Sequence, residues 1–109
     1  MTKILALLPI LLILAAFRPA EKPAKNPEIP ADVKALLDKY GCAACHNMER
    51  RLVGPIWTDI AAKKYSAKRI AQLVAKPEPT NWPGYPPMVA QNVPKADMDK
   101  IAKWLTNLK

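Results

Sequence analysis

A chain of 109 residues, with 17 Lys and Arg against 9 Asp and Glu and a formal charge of +8, allows one small domain and excludes a multidomain protein. The basic residues are spread along the chain rather than gathered into an arginine-rich patch with interleaved aromatics, which argues against nucleic acid as a partner. Such a charge suits an acidic protein or an anionic membrane surface, or simply a solvated face that keeps the protein soluble.

Lys3 precedes an unbroken apolar run from Ile4 to Phe17, fourteen residues that include Pro9, and Arg18 comes next. That is short for a membrane span and within the range of an export signal, so residues 1–20 read as a signal peptide. The cleavage site is poorly marked: for a cut after Ala16 or Ala20 the upstream position holds Leu14 or Arg18 rather than a small residue, and an uncleaved membrane anchor stays open. Removal of Lys3 and Arg18 leaves fifteen basic residues against nine acidic ones, a formal charge of +6. Residues 21–30 carry Pro23, Pro27 and Pro30 among Lys, Glu and Ala, the composition of an extended tether. The folded domain is expected over residues 31–109.

A first helix is predicted from Ala31 to about Tyr40, with Pro30 near its start, Asp32 at the positive end of the dipole, and Val33, Leu36, Leu37 and Tyr40 as its apolar stripe. Gly41 stops it. Next comes Cys42-Ala43-Ala44-Cys45-His46, a C-x-x-C-H run that reads as a covalent haem attachment site. Haem carries two vinyl groups on neighbouring pyrroles, and two thiols one helical turn apart can form thioethers to both while the adjacent imidazole faces the iron. His46 is the chain's one histidine and the predicted proximal ligand. A zinc site would need a further Cys or His, and a thioredoxin-like dithiol would need strands around it; neither is present in the sequence pattern.

After the polar segment Asn47 to Arg51, a second helix is predicted over Ile56 to Tyr65, with Pro55 at its start and Ile60, Ala61 and the Lys64 stem on one side. Ser66 suits the N-cap of a third helix, Ala67 to about Ala75, with Ile70, Leu73 and Val74 facing inward. From Lys76 to Pro94 the prolines at 77, 79, 83, 86, 87 and 94 exclude a continuous helix or a central strand and predict a stiff loop. A last helix over Lys95 to Leu108 carries Met98, Ile101, Leu105 and Leu108 as its stripe and is expected to cross the first.

An iron that only passes electrons needs a second axial ligand, and a thioether favours the ferrous state. Met1 belongs to the signal, Met48 stands two residues from His46 and cannot reach the opposite face of the ring, and Met98 fits a core stripe. Met88 remains, 42 residues after His46 on the proline-rich loop. Burying several hundred Å² of porphyrin at about 25 cal/mol per Å² is worth on the order of 10 kcal/mol, comparable with a small domain's whole stability. The chain without haem is therefore expected to be largely unfolded.

From about Ala31 to Lys109 the chain resembles the bacterial class I c-type cytochromes, the short monohaem carriers that donate electrons to nitrite reductase or terminal oxidases. The resemblance rests on Gly41-Cys42-Ala43-Ala44-Cys45-His46, Leu52-Val53-Gly54-Pro55 leading into Asp59-Ile60-Ala61-Ala62-Lys63, Tyr85-Pro86-Pro87-Met88, Gln91-Asn92-Val93-Pro94 and Ile101-Ala102-Lys103-Trp104-Leu105. It implies an all-α class I cytochrome c fold, four to five helices enclosing one haem c, bound through Cys42 and Cys45 with iron between His46 and Met88. It further implies that the Pro55 carbonyl accepts from His46 Nδ1, that Gln91 sits near the Met88 sulfur, and that Trp82 lies near a propionate. The spacing around Asn81-Trp82-Pro83-Gly84 departs from the family's, as does Leu73, where an arginine is expected. Haem attachment in such proteins implies a periplasmic, exported monomer, touching a membrane only through a retained N-terminus.

The function expected is therefore a non-enzymatic, soluble electron carrier, docking through lysines such as Lys63, Lys64 or Lys95 on a larger reductase, oxidase or quinol-oxidising complex. The competing class is a haem enzyme or gas sensor with an open axial position, which needs a distal acid or base or an absent sixth ligand, and the sequence offers no second histidine to serve.

Overall fold

The computed structural model describes residues 18–20 and 27–109, and among these no strand occurs. The signal-peptide and tether readings fall largely on residues outside them. Four helices form: α1 (Ala31–Lys39), α2 (Trp57–Ala62), α3 (Ala67–Ala75) and α4 (Lys95–Asn107). Among the described residues none is long and apolar enough to cross a membrane.

The period of the sequence carries directly into packing. Val33 and Leu37 on α1, Ile70 on α3, and Met98, Ile101, Ala102 and Leu105 on α4 are buried together with Trp57 and Leu108. α4 lies against all three other helices, including the crossing with α1 expected from the sequence. That crossing is fastened where the Tyr40 hydroxyl donates to Asp97 at 2.5 Å. The bond to the Asp97 carboxylate is the main reason the Tyr40 phenol titrates above its ordinary 10.0. Because the folded-state value is the higher one, this contribution is complete below the unfolded value and is lost as pH rises through the folded one. Tyr40→Phe is thus expected to lower the melting temperature at neutral pH, and thermal melts should show the gap to wild type closing as alkali deprotonates Tyr40.

Two elements differ from expectation. The predicted second helix ran to Tyr65 but α2 stops at Ala62, where Lys63 and Lys64 donate to carbonyls three residues back and Lys64 turns left-handed at φ 57°. The cause is the next helix. Ser66 is extended (ψ 159°) with its Oγ accepting from the Arg69 amide at 3.1 Å, and a capping residue cannot also continue the helix before it. Lys64 is exposed, and it still lines one small surface pocket with Ile60 and Ala61, the side expected from the sequence. The haem-motif turn is also tighter than an α-turn: Cys42–Ala44 is a 3-10 turn, entered through Gly41 at φ 72°.

Between α3 and α4 the chain forms a strap, residues 76–94, whose regular structure among the described residues is one 3-10 turn at Pro79–Asn81. Its return is pinned by the Gln91 amide donating to the Val74 carbonyl at 2.9 Å.

Candidate haem site

The turn that starts at Gly41 sets the three motif side chains. Cys45 and His46 amides both donate to the Cys42 carbonyl, at 3.2 and 3.1 Å, which brings Cys42, Cys45 and His46 to one cavity. The next loop folds back because Gly54 N donates to Cys45 O at 2.8 Å and Trp57 N to Asn47 O at 3.0 Å. It delivers the Pro55 carbonyl to 2.7 Å from His46 Nδ1. A carbonyl only accepts, so Nδ1 carries the proton and Nε2 keeps its lone pair. Burial pushes the His46 pKa below its ordinary 6.5 against a smaller opposing pull from the Pro55 carbonyl, so the ring is neutral at pH 7, the form that ligates metal. Burial also raises the Cys42 thiol.

All seven residues singled out in the sequence, Cys42, Cys45, His46, Pro55, Trp82, Met88 and Gln91, line this one cavity of about 380 Å³. Ile60, Ile70, Leu73, Val74, Ile101 and Leu105 complete a mostly apolar wall, so the cavity runs into the helical core rather than lying on its surface. Met88 is 40% exposed, whereas Met98 is 5% exposed within the core stripe. The Gln91 side-chain amide reaches the Val89 carbonyl at 3.5 Å, next to Met88 in the chain. Trp82 stands edge-on to Tyr85 with ring centroids 5.9 Å apart and under the Lys63 ammonium at 4.6 Å.

Sequence reasoning overlooked two neighbours of the histidine. Trp57 is buried with its ring centroid 4.8 Å from that of His46, and on its other side meets Trp104 edge-on at 5.4 Å. Gly54 passes so close that a Cβ there would stand 2.6 Å from His46 Cε1 and 2.9 Å from Nδ1. Gly54→Ala must displace either the ring or the loop that positions Pro55. It is expected to lower stability by about 1–3 kcal/mol, as overpacking does, measured by denaturant unfolding of the haem-loaded protein.

The donor set suits a flat, largely apolar group bearing one metal. Paired thiols and a neutral imidazole with a free Nε2 meet in an apolar cavity of the size that cofactors occupy. Among the described residues no group of three or more His, Cys, Asp or Glu could hold a bare ion. A family model for cytochrome c matches residues 30–109.

The chain belongs to the cytochrome c family.

Cytochrome c2 of Rhodocyclus tenuis is 37% identical over 89 residues, covering 72% of this chain and 95% of that protein. Cytochrome c-551 of Allochromatium vinosum is 38% identical over 87 residues, covering 75% and 90%. The crystal structure of wild-type Nitrosomonas europaea cytochrome c552 superposes with a TM-score of 0.62 at 36% identity, covering 70% of this chain and 99% of that one. The chain is accordingly a bacterial class I monohaem cytochrome c with the all-α fold, an electron carrier whose cofactor is a covalent haem c with its iron. Cys42 and Cys45 stand at the attachment positions of the C-x-x-C-H motif.

Proposed function

We propose that His46 and Met88 are the two axial ligands, that Cys42 and Cys45 form the thioethers, and that the protein passes single electrons between larger redox proteins outside the cytoplasmic membrane. A haem held here supplies an iron that accepts and returns one electron. The observation that carries the reading is the meeting, in one apolar cavity, of a histidine fixed in its ligating tautomer and a methionine borne on a proline-rich strap. Pro55 orients the imidazole and strengthens it as a donor, the apolar wall excludes water, and the prolines limit how far the strap can relax. Gln91, whose side-chain amide reaches the Val89 carbonyl beside Met88, would tune the thioether, and Trp82, with Lys63 over its ring, would meet a propionate. Residues 1–20 act as the export signal and 21–30 as a tether to a domain of residues 31–109.

Carrier chemistry is favoured over catalysis by the state of the carboxylate on the cavity wall. Among its described lining residues the carboxylate is Glu78, which accepts from Arg69 and from Asn81 Nδ2. The Arg69 bond holds it below its ordinary range, so it is ionised and engaged, a poor proton donor to bound peroxide or oxygen. Exposed Lys63, Lys64 and Lys95 suit brief docking on an acidic redox partner, an encounter that salt weakens. Exposing the ferrous protein to carbon monoxide at neutral pH tests the reading. A six-coordinate carrier leaves the spectrum unchanged, whereas an open-site enzyme or sensor gives a carbonyl adduct.

A further inference from the structure

We infer that Arg51 is a positioning residue for the Met88 thioether, acting as a clasp between the peptide that leaves the haem motif and the strap that carries Met88. The inference rests on Met88 being an axial ligand. Arg51 stands five residues after His46, and its two contacts fall on consecutive strap residues. Its guanidinium Cζ lies 3.7 Å from the centroid of the Tyr85 ring, and Nη2 donates to the Gly84 carbonyl at 2.5 Å. One guanidinium does both, lying over the ring while an N–H of the same group donates to the carbonyl, a combination that the single nitrogen of an ammonium reproduces less well.

The clasp sits where the strap is otherwise least anchored. Gly84 turns the strap at φ 84°, and Pro86 and Pro87, immediately before Met88, have no N–H with which to anchor the backbone. Upstream the strap is held by Arg69 on Glu78 and by Lys63 over Trp82. Downstream it is held by the Gln91 amide on Val74. Arg51 closes the interval between those ties, and Tyr85 passes its position on to Trp82 through their edge-to-face contact. Arg51 itself is exposed and is absent from the buried core, so the clasp governs local opening of the strap more than global unfolding.

An external ligand reaches the iron only when Met88 is off, and its apparent affinity scales with the fraction of molecules in that state. The test is an imidazole titration of the ferric, haem-loaded full chain, monitored through loss of the far-red sulfur-to-iron charge-transfer band. Arg51→Gln is expected to tighten imidazole by roughly tenfold. Arg51→Lys should fall in between, and the denaturant midpoint should stay close to wild type. Tyr85→Leu should reproduce the effect, and the double variant should bind no tighter than the stronger single, as members of one contact do. If Arg51→Gln fails to load haem, Tyr85→Leu alone carries the comparison. Wild-type imidazole affinity in the variants, or tightening that merely tracks lost global stability, overturns the clasp. A wild-type protein without the band, or a Met88→Ala protein that keeps it, overturns the ligand assignment and the clasp with it.

Discussion

Met88→Ala is expected to lower the reduction potential by on the order of 100 mV or more, within the about 0.8 V that axial ligands span, and to open the ferric iron to azide or imidazole. The physical reason is that a thioether stabilises the ferrous state, and water or an added base in its place does so less well. The change leaves the helical core intact, because Met88 is borne on the strap and is not among the buried core residues. Met98→Ala is the opposite case. Met98 is 5% exposed in the core around α4, so its truncation should cost about 2–5 kcal/mol and leave potential and far-red band in place. Potentiometry and denaturant unfolding on the two variants separate ligand from core residue. A reversed pattern would assign the iron to Met98.

The second large effect concerns the cofactor's part in folding. A protein in which Cys42 and Cys45 are both Ser retains no covalent haem and should lose most of its helical signal in circular dichroism at 25 °C, without a cooperative melt. The cavity of about 380 Å³ is lined by Trp57, Ile70, Met98, Ile101 and Leu105, five members of the buried core. Emptied, it leaves those side chains without partners on one side, and α1 to α4 retain only what they bury against each other. A domain of about eighty residues has little margin for such a loss. A cooperative transition with full helical signal in the doubly substituted protein would show that the helices form a sufficient core by themselves.

Much of the site was legible because the chemistry demands adjacent residues. Two thiols and an imidazole must share one turn to reach one ring, so Cys42, Cys45 and His46 announce themselves. Elimination, its prolines and the family resemblance pointed to Met88, which the structure brings to the same cavity as Cys42, Cys45 and His46, and Met98 was legible by the helical period it shares with Ile101 and Leu105. The parts that were not legible are long-range pairings with no period of their own. Nothing near Arg51 in the chain points to Tyr85, and nothing near Tyr40 points to Asp97. Trp57 stands three residues before Ile60 and so continues the stripe of the second helix, but its packing on both His46 and Trp104 has no sign in the local pattern. The early end of α2 has the same origin: the apolar pattern continues to Tyr65, but the Ser66 cap and the left-handed Lys64 terminate the helix first. Gly54 reads as an ordinary loop glycine until the imidazole is seen lying against it.

Electron carriage by this protein depends above all on which atoms surround the iron. X-ray absorption at the iron edge of the ferric protein measures this directly. Coordination by His46 and Met88 predicts a single sulfur scatterer among nitrogens in the wild-type first shell, and its loss in Met88→Ala. A first shell of nitrogen and oxygen alone in the wild-type protein, or a sulfur that survives the substitution, would contradict it.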